Sequence, residues 1–233
     1  MRIDKYLSNS GIGTRKEVKQ YIKNGLILLN DKVVLKSTQQ VDENKDKIKF
    51  KNQEIIYKKY IYLMMNKPQG YISATKDYND TVLDLLDEKF QNKDIFPVGR
   101  LDKDTEGILI LTNDGKLAHE LLSPKKKVDK KYYAKVDNIL SEEDIDKFKD
   151  GIYLEKEQYL TMPAKLEIIS NYECYVYIKE GKYHQVKRML KSCGKEVLYL
   201  KRISMGNINL DETLDLGQYR ELTEKEIEIL KNN

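Results

Sequence analysis

The segment that most limits the possible folds is Phe96–Gly115, FPVGRLDKDTEGILILTNDG. Within it, Gly107–Thr112 is an unbroken apolar run, partly β-branched and closed on both sides by turn residues, so it reads as a buried strand. Feeding that strand, Arg100, Asp102, Asp104 and Glu106 crowd charge into one short loop. Loops carry chemistry where a rigid scaffold holds them still, and a dry strand fed by a charged loop supplies that scaffold. Asn113-Asp114-Gly115 then makes a turn, and Lys116–Leu122 has helical character.

Three explanations of the loop compete: a solvated charge run, a calcium loop, or an active-site carboxylate with a neighbouring guanidinium. Asp102, Asp104, Glu106 and Gly107 do follow the opening spacing of an EF-hand. That pattern needs a bidentate glutamate at its last position, where Asn113 stands, and a helix where this chain places a strand. The calcium loop is therefore set aside, and the rest of the chain favours the carboxylate site over the bare charge run.

The chain has 233 residues, 40% hydrophobic and 34% charged, which suits a soluble globular protein of one large or two smaller domains. No stretch approaches the roughly 18 apolar residues needed to span a bilayer, so no membrane association is expected. The opening MRIDKYL lacks the apolar core of a secretory signal. Cys174 and Cys193 form no CxxC pair, and with only His119 and His184 beside them they fit a reducing cytoplasm better than a zinc site. Charge is unevenly placed. Residues 1–60 carry 14 Lys/Arg against 7 Asp/Glu, while the remainder of the chain is net negative. A basic N-terminal module facing a polyanion is the expectation.

Read in order, residues 2–9 suggest a short amphipathic helix with Arg2 and Lys5 beside its apolar face. Thr14-Arg15-Lys16-Glu17 is a capping-box pattern that opens a second helix through Lys23, and Gly25 stops it. Leu26–Leu29 and Lys32–Leu35 flank Asn30-Asp31, a two-residue hairpin turn. Farther on, strands are expected at 46–50, 60–65, 130–136, 164–169, 174–179 and 197–203, with a short one near 207–210. Helices are expected at 82–90, from Ser141 to Asp150, from Tyr183 to Gly194, and after the Thr223–Glu226 capping box. Irregular alternation of strands and helices argues for α+β with a largely antiparallel central sheet flanked by helices.

RIDKYLSNSGIGTRKEVKQYIKNGLILLNDKVV resembles an S4 RNA-binding domain, departing from it where Asp31 replaces the usual hairpin glycine. The resemblance implies that the second helix faces the phosphate backbone of structured RNA, with Arg15, Lys16 and Lys19 as contacts and Arg2 and Lys5 nearby. Contacts of that kind position a partner and read no sequence. From Tyr60 onward, LMMNKPQGYISAT, GRLDKDTEGILILTNDG, KKYYAKV, EGKYHQVKRML and LKRISMGNINL follow one another as in the pseudouridine synthases. The match resembles most the RsuA-like branch, which acts on small-subunit ribosomal RNA. The expected organisation is an S4 domain at residues 1–58 and a catalytic domain at 59–233.

What the family implies is isomerisation of a uridine, its N-glycosidic bond becoming a C-glycosidic one, with neither metal nor organic cofactor. By position Asp102 is the reacting carboxylate and Lys187 the cation that steadies it, a point charge where other branches carry arginine. Tyr132 is the ring stacked on the target base. Arg100 fills the gap left by the flipped nucleotide or contacts phosphate, and Lys67, Gln69 and Arg188 complete the RNA contacts. His184 is assigned a structural role. The resemblance favours 16S rRNA, of the uridine-516 class, or a small-subunit assembly intermediate as partner, with the protein acting as a monomer. Rival functions are a synthase for 23S RNA, a non-catalytic S4 protein, and a nucleosidase or metal nuclease using Asp102, Asp104 and Glu106 together.

Overall fold

The computed structural model describes residues 1–90, 93–123 and 126–232. It divides into two compact units, Met1–Tyr60 and Ile61–Asn233, where a boundary after residue 58 was expected.

In the first unit, helices α1 (Ile3–Asn9) and α2 (Arg15–Lys23) pack on a four-stranded sheet, β1 (Ile27–Leu29), β2 (Lys32–Val33), β3 (Ile48–Phe50) and β4 (Gln53–Glu54), in the order β2-β1-β3-β4. The Thr14–Glu17 capping box forms as the sequence predicts. Asn30 and Asp31 both take positive φ, 50° and 65°, the conformation a tight hairpin turn requires. Ile3, Leu7, Val18, Ile22, Ile27 and Ile48 make the core. Tyr57 stacks on Tyr6 at 4.9 Å, which ties the last residues of this unit to its first helix. Arg15, Lys16, Lys19 and Lys5 stand exposed.

The second unit is built on β5 (Tyr62–Lys67), β6 (Phe96–Pro97), β7 (Glu106–Thr112), α3 (Gly115–Leu122), β8 (Lys130–Val136), α4 (Glu142–Asp150), β9 (Tyr153–Leu154), β10 (Tyr159–Leu160), β11 (Lys165–Ser170), β12 (Glu173–Ile178), α5 (Gln185–Ser192), β13 (Val197–Met205), β14 (Ile208–Asn209), β15 (Tyr219–Glu221) and α6 (Glu224–Lys231). Its main sheet runs β11-β12-β8-β13-β7-β5-β15, with β14 paired to β13 and β6 to β7. Among the described residues the ladders are antiparallel except β13 against β7. All of β5 and all of β7 are buried, because apolar clusters cover both faces there. Gly107 permits the parallel contact. With φ of +106°, a Cβ on it would lie 2.0 Å from the Arg202 carbonyl oxygen.

Several elements differ from the sequence-based expectation, three of them with a clear physical reason or consequence. Residues 82–90 form two 3-10 turns, Val82–Leu85 and Glu88–Phe90, separated by an extended Leu86. Leu83, Leu85 and Leu86 all pack on the core, and one continuous helix could not present all three to it. Strand β5 continues through Lys67, past the expected end at Met65. Helix α5 begins at Gln185 and not at Tyr183, because His184 sits in the left-handed region at φ 49°. No helix among the described residues is long and apolar enough to cross a membrane.

Candidate active site

Strand β7 begins at Glu106, so the loop before it is fixed at one end by the ladder and must be held elsewhere by its own contacts. The segment following β5 does this. Ser73 Oγ accepts from the Leu101 N–H and donates to the Leu101 carbonyl, both at 3.1 Å. Gly70 N–H donates to the Lys103 carbonyl at 2.8 Å, and Thr105 N–H closes a turn onto the Asp102 carbonyl at 3.0 Å. At the centre lies Lys67, fully buried, whose Nζ donates to the carbonyls of Pro68, Asp102, Lys103 and Thr105 at 2.9 to 3.3 Å.

This corrects the expectation that Lys67 meets RNA. A side chain with no exposed surface reaches no phosphate, and its donors are already committed to the loop that carries Asp102. The sequence held a signal for this in YLMMNK, a strand buried on both faces, where a lysine must find acceptors inside the protein.

The Asp102 side chain is 24% exposed at the bottom of a cleft that Arg100, Tyr132, Lys182, His184 and Lys187 also line. Strand alternation sets Tyr132 there, on the same buried face as Ala134. Helix α5 buries Val186, Met189 and Leu190, which turns Lys187 off that face toward the loop. Lys187 Nζ stands 3.6 Å from Asp102 Oδ2 and 2.5 Å from Asp104 Oδ1, so its shorter ion pair is with Asp104. Burial would raise the Asp104 carboxyl, but the hydrogen bond and charge of Lys187 outweigh it and hold that carboxyl below the usual range. On the other side, His184 Nε2 lies 3.5 Å from Asp102 Oδ1.

His184 was missed as a site residue by sequence reasoning. Its left-handed backbone turns the imidazole to the carboxylate, and Tyr183 stacks on it at 3.8 Å. A non-glycine residue in that region is uncommon and clusters at functional sites, but no periodicity announces it. Glu106 turns away: its Oε2 accepts from the Tyr199 hydroxyl at 2.6 Å. The three acidic groups of the loop thus do not converge, which disposes of the calcium geometry.

Other residues expected to touch RNA fall into two groups. Gln69 and Arg100 are exposed, as are the cations of α2. Arg2 instead forks onto the buried carboxylate of Asp4, with bonds of 3.1 and 2.6 Å. Arg188 folds back so that Nη2 donates to the Tyr183 carbonyl, next to the Tyr183 ring. Both guanidiniums thus have protein acceptors here, while Arg2 keeps 48% of its side-chain surface exposed and Arg188 is half-buried, so each retains surface toward a partner.

A carboxylate set among a lysine, a histidine and a tyrosine, in the unit that follows an S4-like module along the chain, fits an RNA-modifying enzyme of the pseudouridine synthase fold. Residues 61–192 match the family described as RNA pseudouridylate synthase, and residues 1–46 match the S4 domain. The chain belongs to the RNA pseudouridylate synthase family. It is 50% identical to an uncharacterized RNA pseudouridine synthase of Bacillus subtilis, YtzG, over 99% of this chain and 98% of that one. Identity to ribosomal small subunit pseudouridine synthase A of Vibrio cholerae is 42%, over 97% and 98%. A solved crystal structure of a pseudouridylate synthase matches with a TM-score of 0.71 and 35% identity, covering 99% of each chain.

The Lys67 cage carries a pH prediction. Burial lowers the ammonium from 10.5 to about 8, against the raising pull of Asp104, Asp102 and Glu106. The folded value lies below the unfolded one, so the cost of holding this charge is present in full below pH 8. It is relieved as pH climbs toward 10.5, and folding stability gains through this group. Loss of the proton also removes a donor from the turn around Asp102. Turnover is therefore expected to fall with a midpoint near pH 8 while thermal stability does not. Lys67→Met is expected to lower turnover at every pH and to lack that alkaline limb. Parallel pH profiles of kcat and Tm check this, and an identical limb in the variant would remove Lys67 as its origin.

Proposed function

We propose that this enzyme converts a uridine of 16S rRNA, of the uridine-516 class, to pseudouridine, on free RNA or on a small-subunit assembly intermediate. In this reading the target uridine is extruded from its helix or loop into the cleft, its base against Tyr132. The Asp102 carboxylate reacts with ribose or base, the bond from N1 to C1′ breaks, the freed uracil turns, and C5 bonds to C1′. The C5 proton leaves and N1 gains one, so atoms balance without oxidant, reductant or co-reactant. Lys187 and His184 hold the carboxylate in place, and Arg100 at the rim meets the strand from which the uridine departed. Arg15, Lys16, Lys19 and Lys5 serve the backbone of structured RNA.

The observation that carries the reading is a partly sheltered carboxylate, 3.6 Å from an ammonium and 3.5 Å from an imidazole, sharing one cleft with a buried tyrosine. The small-subunit substrate is supported by the name of the Vibrio cholerae relative and by the KYHQVKRM segment. Mapping pseudouridines in ribosomal RNA from cells with and without the gene tests it. One 16S position is expected to lose its pseudouridine; a loss confined to 23S RNA overturns the substrate, and an unchanged map overturns the function.

The S4 contacts carry their own test. Replacing Lys16 and Lys19 with glutamine is expected to weaken RNA binding and to flatten the slope of log K against log salt by about 1.5. An unchanged slope would take α2 out of the RNA interface.

A further inference from the structure

Beside the catalytic cleft opens a second cavity, of about 310 Å³, and the two share Arg100, Tyr132, Gly181 and Lys182 in their walls. Lys130 and Arg202 reach it from the neighbouring strands β8 and β13, and only 9% and 2% of their surfaces are exposed. Arg202 Nε donates to the Ile108 carbonyl at 2.9 Å, which anchors the guanidinium to the sheet. Its Nη2 is buried and has no hydrogen-bond acceptor among the described residues. Lys130 Nζ donates to the Val128 carbonyl at 2.9 Å.

The balance of charge around this space is one-sided. Arg100, Lys179 and Lys182 add to Lys130 and Arg202, and Glu180 is the one carboxylate among the described lining residues. Glu180 is already committed, accepting from the Tyr159 hydroxyl at 2.5 Å, the Gln185 amide at 2.7 Å and the Met162 N–H at 2.8 Å. Burial, followed by repulsion from Arg202, pushes the Lys130 ammonium down to about 8. Two adjacent buried cations cost folding free energy unless an anion joins them, and a guanidinium with a free edge is suited to phosphate oxygens.

We propose that this cavity is a phosphate subsite, in which Lys130 and Arg202 grip a backbone phosphate of the substrate RNA beside the uridine held over Asp102. The inference rests on the uridine-isomerising reading above and adds to it where the strand is gripped. Tyr132 then separates the two compartments, with the base on the Asp102 side and the neighbouring phosphate on the other. The subsite fixes the register of the strand and contributes to binding more than to the chemical step.

The test uses the full-length protein and an RNA transcript containing the mapped uridine. Lys130→Met keeps the unbranched side chain to within one atom of its length and removes its charge, and Lys130→Arg restores a cation. Lys130→Met is expected to raise KM about tenfold with kcat within about twofold, and Lys130→Arg to recover most of the loss. Tm of the methionine variant is expected to hold or rise, since an uncompensated buried charge has gone. In a second arm, RNA carrying a neutral methylphosphonate at each linkage flanking the uridine is bound in turn. Wild type is expected to lose affinity at one linkage, and Lys130→Met to be indifferent there. If wild type makes pseudouridine while Lys130→Met keeps its KM, the subsite is overturned and the enzyme reading stands. A wild type that makes no pseudouridine overturns both. Inorganic phosphate raising Tm in wild type alone, with no linkage sensitive to the methylphosphonate, assigns the pocket to a free anion and overturns the RNA phosphate.

Discussion

Asp102→Asn will bind RNA with wild-type affinity, fold normally, and form pseudouridine at least about 10³-fold more slowly. The substitution is nearly isosteric and removes only the negative charge that reacts in the proposed function. Nothing in the fold depends on that charge. Lys187 keeps its closer partner, Asp104 at 2.5 Å, so no ammonium is orphaned. Lys67 and the Thr105 N–H hold the backbone carbonyl of residue 102 and not its side chain. A stability change within about 1 kcal/mol is expected, as for other partly exposed ion pairs. Single-turnover assays on 16S transcript, with Tm and filter binding in parallel, check all three statements. Turnover near wild type in the asparagine variant would remove Asp102 from the chemistry.

Gly107→Ala will cost far more stability than a lone methyl group suggests. Its Cβ would sit 2.0 Å from the Arg202 carbonyl oxygen and 2.8 Å from the Arg202 amide nitrogen. These are backbone atoms of the adjacent strand, so no rotamer change relieves the contact. The backbone at φ +106° is also closed to L side chains. Either β7 and β13 part at their parallel register, or the chain shifts and carries the Asp102 loop with it. A loss of about 3 kcal/mol or more is expected, which for a unit of this size lowers Tm by about 10 °C. Thermal unfolding followed by circular dichroism measures it. A shift below about 2 °C would mean that the two strands do not approach as described.

Much of the framework was legible because its signals are local. The Thr14–Glu17 and Thr223–Glu226 boxes, the Asn30-Asp31 turn and the apolar run after Glu106 each specify their own backbone within a few residues. The segment 82–90 was not legible as two turns, because its interruption at Leu86 follows from packing. Three leucines meet the core, and the Asp87 N–H donates to the Tyr219 hydroxyl, 132 residues away. The left-handed His184 is a similar case, since the preference of that residue type alone would have continued the helix to Tyr183.

The site divides along the same line. Residue order and the family resemblance picked out Asp102, Tyr132, Lys187 and Arg100 as candidates, and the structure places all four around one cleft. The particular partners came only from coordinates: Lys187 nearer to Asp104 than to Asp102, His184 against the free carboxylate oxygen, and Lys67 beneath the loop.

By itself the sequence determined two things: which stretches bury and which turn, and that a charged loop sits at the mouth of a dry strand. Hydrophobic periodicity and capping chemistry act over a few residues, so they are written where they act. Tertiary structure alone decided that a lysine from β5 faces inward to four carbonyls, and that cations from β8 and β13 share one cavity. Those outcomes are set by distances between strands far apart in the chain, and the free energy of a buried charge depends on whatever the fold brings beside it.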